Sequence, residues 1–469
     1  MKVKQLFKTV LVFFLGNALS KLISFFLLPL YTAEIDPVQY GNYGIAFAFI
    51  NLIAPLAFLQ VWDGMYRIAF DFDGKKEKNK IVSNALAFSS VGIVLYFAMF
   101  FLLRLFFKFE YFELVLIYGL VYGINYIFTF SARVHLSNKL FVFSGVMSTL
   151  VTATLNIILM VGYGWDVKSI YFSAICGIIV QMIIIEIGVG VFRHFRFSSL
   201  KKDILKQMLR FSLPLCVSTI SYWLLSGFTK VLIEQFVGDY GNGIYEVANK
   251  FSVFITFLVT VIQYAWNETA YLISTEEKEE RNKSYQVSLN VIITGVTVGT
   301  AFFCIFSKII FPFMIDDKYL EAKSLIPIAI IGTAANSLAS FVGTFFMAEK
   351  KNKFILFSTL SAALFNVVVG YFATKYYGVL GGLTALSLGF LILALIRLLF
   401  ATKTFKLKIK PWHTILSLLA LVGSVVVYYY IDSILILIGT LVLLLALLII
   451  AFRKKIKDLV VSLMGKDKA

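Results

Sequence analysis

Residues 6–31 read LFKTVLVFFLGNALSKLISFFLLPLY. A helix needs about 20 mainly apolar residues to cross the hydrocarbon of a bilayer. This stretch offers about 25, interrupted only by Lys8 near its start and Lys21 near its middle. It follows Lys2 and Lys4 as the apolar region of a secretory signal would, but such a region holds roughly 7–15 residues. The stretch therefore reads as an uncleaved first span. Working outward, comparable apolar stretches recur at 41–66, 79–107, 111–132, 140–164, 168–192, 208–236, 244–273, 284–313, 320–347, 354–376, 380–404, 411–430 and 432–452. The expected fold is an all-α polytopic membrane protein with about fourteen transmembrane helices.

Composition agrees. Of 469 residues, 60% are hydrophobic and 15% charged, against roughly 45–50% and about 25% in soluble domains. Too few charges are present to cover a water-soluble globule of this size. The 48 Phe and 24 Tyr are the reverse of a disordered composition. The net charge of +17 comes from short basic runs between apolar stretches rather than one basic face, so nucleic acid is not the expected partner. Cys176, Cys216 and Cys304 all fall inside apolar stretches, form no CxxC and read as small core residues, with no disulfide framework and no metal cluster.

Orientation follows from Lys and Arg. With the N-terminus cytoplasmic, the inner segments carry 33 of the 43 basic residues. The outer ones carry only Arg104, Lys108, Lys168, Lys308, Lys318, Lys323 and Lys375. Both termini then lie in the cytoplasm, which requires an even number of spans. Orientation is least distinct at the inner loop 274–283, where four glutamates accompany Lys278, Arg281 and Lys283. No loop is long enough to be a folded domain, so function belongs to the membrane part.

The chain also matches itself. At an offset of 200, Glu34 falls on Glu234 and Tyr40-Gly41-Asn42 on Tyr240-Gly241-Asn242. At 210, Ser148, Thr149, Leu150, Ala153 and Asn156 fall on Ser358, Thr359, Leu360, Ala363 and Asn366, and at 214 Asn138-Lys139 falls on Asn352-Lys353. Span 1 thus repeats as span 7 and span 5 as span 11. An even shift of six keeps both copies in one orientation, related by a pseudo-twofold axis along the membrane normal and enclosing a central cavity. The expected organisation is a six-helix lobe over 1–200, a second over 201–407, and a two-helix hairpin with a basic cytoplasmic tail over 408–469.

Three cations remain inside spans: Lys21, Lys230 and Lys250. Uncompensated at mid-membrane, three lysines would cost roughly 8–10 kcal/mol, so they must snorkel, pair or face water. Lys21 lies about 22 Å from the cytoplasmic end of its span at 1.5 Å per residue, too far to snorkel, and has no acid within four residues. Lys230 has Glu234 one turn away and Lys250 has Glu246, so each is either a neutralised same-helix pair or a second cavity-facing cation. Cations on a wet cleft suit an anionic, phosphate-bearing substrate. Glu234, Glu246, Asp63, Glu186 and Glu268 are candidates for carrying a proton or Na⁺, with interface anchoring as the alternative for the last three, which lie near span ends. The amides Asn17, Asn51, Asn156, Asn249, Asn267 and Asn366 either contact sugar hydroxyls or join helices. His135, His194 and His413 sit beside basic residues without ligand spacing, and there is no P-loop or GxSxG. No catalytic residue, cofactor or metal site is expected.

The opening FFLGNALSKLISFFLLPLYT, an acidic turn and YGNYGIAFAF, together with LRFSLPLCVSTISYWLLSGFTKVLI and GIYEVANKFSVF in the second half, resemble the bacterial oligosaccharide (O-antigen and capsule, Wzx-type) flippases of the multidrug/oligosaccharidyl-lipid/polysaccharide exporter superfamily. The resemblance implies a secondary-type transporter, not an enzyme, of the bacterial cytoplasmic membrane. It would carry undecaprenyl-pyrophosphate-linked oligosaccharide between leaflets by alternating access, for surface polysaccharide biosynthesis. Membrane lipids, a polysaccharide polymerase and a chain-length regulator are the implied partners, and Lys21, Lys230 and Lys250 the implied lining of a cationic cavity. Many relatives have an acidic-basic pair where this chain reads Gly227-Phe228-Thr229-Lys230, so an ion-pair role does not carry over at that place. A lipid II flippase or a multidrug exporter of the same superfamily are the alternatives. A membrane polysaccharide polymerase is a remoter one, since it would be expected to carry a long outer loop.

Overall fold

The computed structural model describes residue 23 and residues 25–72, 74–273, 277–408, 411–447 and 449. Lys21, Asn17 and most of the first expected span lie outside them, as do the side chains of Asn267, Glu268 and His413. Among the described residues every regular element is helical: α1 (Leu28–Glu34), α2 (Pro37–Ala57), α3 (Val61–Ile68), α4 (Lys75–Leu103), α5 (Phe112–Val134), α6 (Asn138–Ile157), α7 (Lys168–Val189), α8 (Lys202–Ser226), α9 (Phe228–Phe236), α10 (Asp239–Lys250), α11 (Val253–Ile273), α12 (Lys278–Met314), α13 (Ala322–Ala348), α14 (Asn352–Phe405), α15 (Pro411–Tyr430) and α16 (Ile434–Leu447). Nine of the described helices are long and apolar enough to cross a membrane, and Thr414–Tyr430 and Ile434–Leu447 are shorter apolar ones. The chain is a multi-pass membrane protein.

Several expected spans are broken, each for a local reason. α2 starts firmly, with the Asp36 carboxylate accepting the Val38 N–H at 2.8 Å and Pro37 in the first turn. It stops where Leu59 and Gln60 both take left-handed backbone (φ 48°), a conformation that costs a non-glycine residue free energy. The Gln60 amide donates to the Thr219 hydroxyl at 2.8 Å there, and α3 completes the span. α8 and α9 meet at Gly227, where a Cβ would lie 2.4 Å from Trp223 Nε1. Trp223 is held in turn by donating to the Ala48 carbonyl at 2.8 Å. The opposite happens in α14. Its apolar part, Lys353–Phe405, has 53 residues, about 80 Å at 1.5 Å per residue and more than twice the hydrocarbon thickness. Gly378 leaves helical geometry (φ 57°, ψ −139°) and divides it between the two expected spans.

The helices form two compact units. One takes in the described residues up to Val247 with Asp316–Tyr319 and Ala363–Gly382, the other Ala248–Ile315, Leu320–Ala362 and the described residues from Leu383. Inside the first, Phe58 fills the notch left by Gly92 and Gly123, whose Cβ atoms would fall 2.7 and 2.8 Å from its ring. In the second, Leu437 and Leu444 of α16 join Val298, Ala301 and Ile305 of α12 in one buried cluster. Lys308 of α12 fixes the same corner, donating to the carbonyls of Tyr428 (2.6 Å) and Ile431 (2.7 Å) and pairing with Asp432 at 2.8 Å. A lysine thereby satisfies the open carbonyl end of α15.

Candidate functional site

In the first unit α2, α9 and α10 converge through glycine. A Cβ on Gly41 would fall 1.8 Å from the Asp239 carbonyl oxygen, and one on Gly243 2.0 Å from that of Pro37. The two turns matched in sequence at an offset of 200 therefore touch backbone to backbone. Their asparagines secure the surroundings. Asn42 donates to the Lys108 carbonyl (3.2 Å) and Asp239 (3.4 Å) and accepts the Glu110 N–H at 2.9 Å. Asn242 donates to the Lys230 carbonyl (3.1 Å) and to Glu234 (3.2 Å).

Just below lies Lys230. Its ammonium pairs with the Glu246 carboxylate of α10, donates to the Gly44 carbonyl at 3.2 Å and stands 5.9 Å from the centre of the Tyr245 ring. Only 14% of the Lys230 side chain and 13% of that of Glu246 are exposed. Gly44 makes the pair possible, since a Cβ there would sit 2.6 Å from Glu246 Oε1. This corrects the same-helix pairing. Spacing of four identifies partners on one helix only, whereas the partner of Lys230 comes from the neighbouring helix. Glu234 instead lines a cavity of about 600 Å³ with Lys108, Gln235 and Asp239. Lys250 ends α10 half-buried and engaged with neighbours.

The amides join helices. Asn156 is fully buried and donates to the Tyr31 hydroxyl at 3.0 Å. Asn366, also fully buried, donates to the carbonyls of Leu224 and Leu225 and to the Thr229 hydroxyl at 3.4, 3.0 and 3.2 Å. It thereby satisfies carbonyls freed by the break at Gly227. Asn51 accepts from the Tyr122 hydroxyl at 3.1 Å, and Tyr122 bonds Tyr126 at 2.9 Å. Asp63 lies in the first turn of α3, half-buried. Glu186 accepts the N–H groups of Phe192 and Arg193 at 2.9 and 3.1 Å, closing the end of α7. The three cysteines are free thiols. Among the described residues no group of three His, Cys, Asp or Glu could hold a metal ion.

Two further cations, besides those expected in the spans, are buried within helices. Lys308 is 6% and Arg397 7% exposed. Arg397 donates to the Ser358 hydroxyl (3.1 Å), the Ala339 carbonyl (2.8 Å) and the Thr359 hydroxyl (3.0 Å). Its place seven residues inside the stretch 380–404 was the available signal.

Broken helices, buried ion pairs and small-residue contacts in a multi-pass helical chain define a membrane-transporter type of fold. A family model described as polysaccharide biosynthesis protein matches residues 6–267, and a second, MatE, matches 214–372. The chain belongs to the polysaccharide biosynthesis protein family. Among solved structures it is similar to an inward-facing multidrug-resistance MATE transporter of the MOP superfamily (16% identity, TM-score 0.69, 83% of this chain and 98% of that one). It is similar also to the lipid II flippase MurJ in an inward closed conformation (16%, 0.66, 96% and 100%). A third is a MOP-superfamily transporter from Pyrococcus furiosus described as having reversed polarity in its binding pocket (16%, 0.60, 85% and 96%). At these identities the likeness is one of fold. No curated protein matches the chain in sequence.

Proposed function

We propose that the protein is a flippase for undecaprenyl-pyrophosphate-linked oligosaccharide, moving repeat units from the inner to the outer leaflet of the bacterial cytoplasmic membrane with both termini in the cytoplasm. The family match over residues 6–267 carries the reading. Basic residues within the spans agree with a phosphate-bearing head. The polyprenyl tail stays in lipid while two six-helix lobes open alternately, so the protein removes the desolvation cost of sugar and pyrophosphate and breaks no bond. Lys21, Lys230 and Lys250 receive the phosphates, Lys230 by exchanging Glu246 for the cargo. Glu234, Glu246, Asp63 and Glu268 are the candidates for coupling to an ion. A polymerase and a chain-length regulator receive the product. A second reading, lipid II, is supported by the coverage of 96% and 100% in the match to MurJ.

Deleting the gene separates the two. On the first reading, undecaprenyl-linked repeat units accumulate facing the cytoplasm while lipid II distribution is unchanged. Accumulation of inward-facing lipid II alone supports the second, and no accumulation of either refutes both.

A further inference from the structure

The basic residues that flank the spans are not scattered over one face of the first unit. α4 opens with Lys75, Lys76, Lys78 and Lys80, and with Arg196 they line two adjoining hollows of about 320 and 700 Å³ that share Lys75. No Asp or Glu is among the described residues lining either hollow. Of the described acids on the flanking helices, Glu77 pairs with Lys80 at 2.6 Å, and Glu186 is taken by two backbone N–H groups. Lysines in a first helical turn oppose the positive end of the helix dipole, and Gly74 offers α4 no side-chain cap. An anion in the hollows would offset both.

The walls are already built. Asn84 accepts the Lys201 N–H at 2.9 Å and donates to the Ser199 carbonyl at 3.1 Å, fixing the loop that carries Arg196, Ser198 and Ser199 against α4. His194 is held by the Gly190 carbonyl at 2.8 Å, and His135 spans the Ser131 carbonyl (2.9 Å) and Asn79 (2.7 Å). Burial pushes His135 below the usual imidazole range, and the charges of Lys75 and Lys78 act in the same direction, a sign of the local positive potential. In the segment that carries His194 and Arg196, Phe192 and Phe197 are 57% and 80% exposed. Exposed apolar rings beside basic residues suit a membrane interface, which favours a ligand that arrives on a lipid over a soluble one.

We propose that these hollows bind the phosphate group of a membrane lipid on the face assigned to the cytoplasm, an assignment that rests on the orientation above. Basic pockets of this kind between helices take anionic headgroups. The phosphate belongs either to an anionic phospholipid or to the pyrophosphate of the incoming cargo.

The test uses the full chain in detergent, titrated with phosphatidylglycerol, with undecaprenyl pyrophosphate and with phosphatidylcholine, and bound lipid counted by native mass spectrometry. Lys75→Gln with Lys78→Gln and Arg196→Gln should weaken retention of the anionic lipid roughly tenfold or more, and Lys75→Arg with Lys78→Arg and Arg196→Lys should restore it. Loss in the phosphatidylglycerol arm makes the source bulk lipid; loss in the pyrophosphate arm makes it cargo. Unchanged retention in both arms overturns the proposal. If the triple variant does not fold, Lys75→Gln alone decides: a loss of roughly threefold or more supports the site, and wild-type retention overturns it. The phosphatidylglycerol arm needs no transport, so it fails or succeeds independently of the flippase reading.

Discussion

Glu246→Gln should destabilise the protein by about 3–5 kcal/mol. The substitution is nearly isosteric, so packing is kept and only the charge is lost. It leaves the Lys230 ammonium 14% exposed with the Gly44 carbonyl and the neutral amide, and the penalty is that of an uncompensated buried cation. Removing both charges, as Lys230→Met with Glu246→Leu, should recover most of the stability, because replacing a buried pair by apolar groups is often neutral. Thermal unfolding in detergent reads all three. A double variant as unstable as Glu246→Gln would show that packing, not charge, holds this corner. The double variant should nevertheless fail in transport if Lys230 meets the cargo, which separates stability from function.

Gly41→Ala should cost about 3 kcal/mol or more, at the upper end for overpacking. Its Cβ would fall 1.8 Å from the Asp239 carbonyl oxygen and 2.7 Å from the Gly243 nitrogen. Both are backbone atoms, so no rotamer change relieves the clash, and α2 and α10 must separate. Separation lengthens the contacts of Asn42 and withdraws Gly44 from Lys230. Gly439→Ala is the control. It lies in α16 with nothing within 4 Å of the added methyl, and should change stability by less than about 1 kcal/mol, towards greater stability. Equal unfolding temperatures for Gly41→Ala and wild type would contradict the close approach.

The spans were legible because hydropathy averages over about 20 residues and needs no partner. Their interruptions were not. Nothing local marks Leu59 and Gln60 as left-handed; that conformation is held by Thr219, far along the chain. The division between 354–376 and 380–404 is the exception: it was legible, and Gly378 leaves helical geometry in that gap. At the site, sequence identified Lys230 and Glu246 as charges needing compensation, but linked each to a neighbour on its own helix. The repeat Tyr-Gly-Asn drew notice as a pattern, and its purpose, glycine at a backbone contact, emerges only with Asp239 and Pro37 in place. Arg397 and Lys308 were misassigned because span ends are uncertain by several residues, while a side chain is long enough to turn inward from any of them. Both are held by carbonyls or hydroxyls rather than a neighbouring acid alone.

The most direct measurement is translocation in proteoliposomes containing the purified chain and undecaprenyl-pyrophosphate-linked oligosaccharide in both leaflets, with an impermeant enzyme outside that labels the sugar. Wild-type protein should make the whole pool accessible, and Lys21→Glu, folded by size-exclusion and thermal criteria, should leave only the outward-facing share labelled. Labelling no greater with wild type than in protein-free vesicles, or full labelling by Lys21→Glu, would contradict a phosphate-bearing cargo drawn across by cations within the spans.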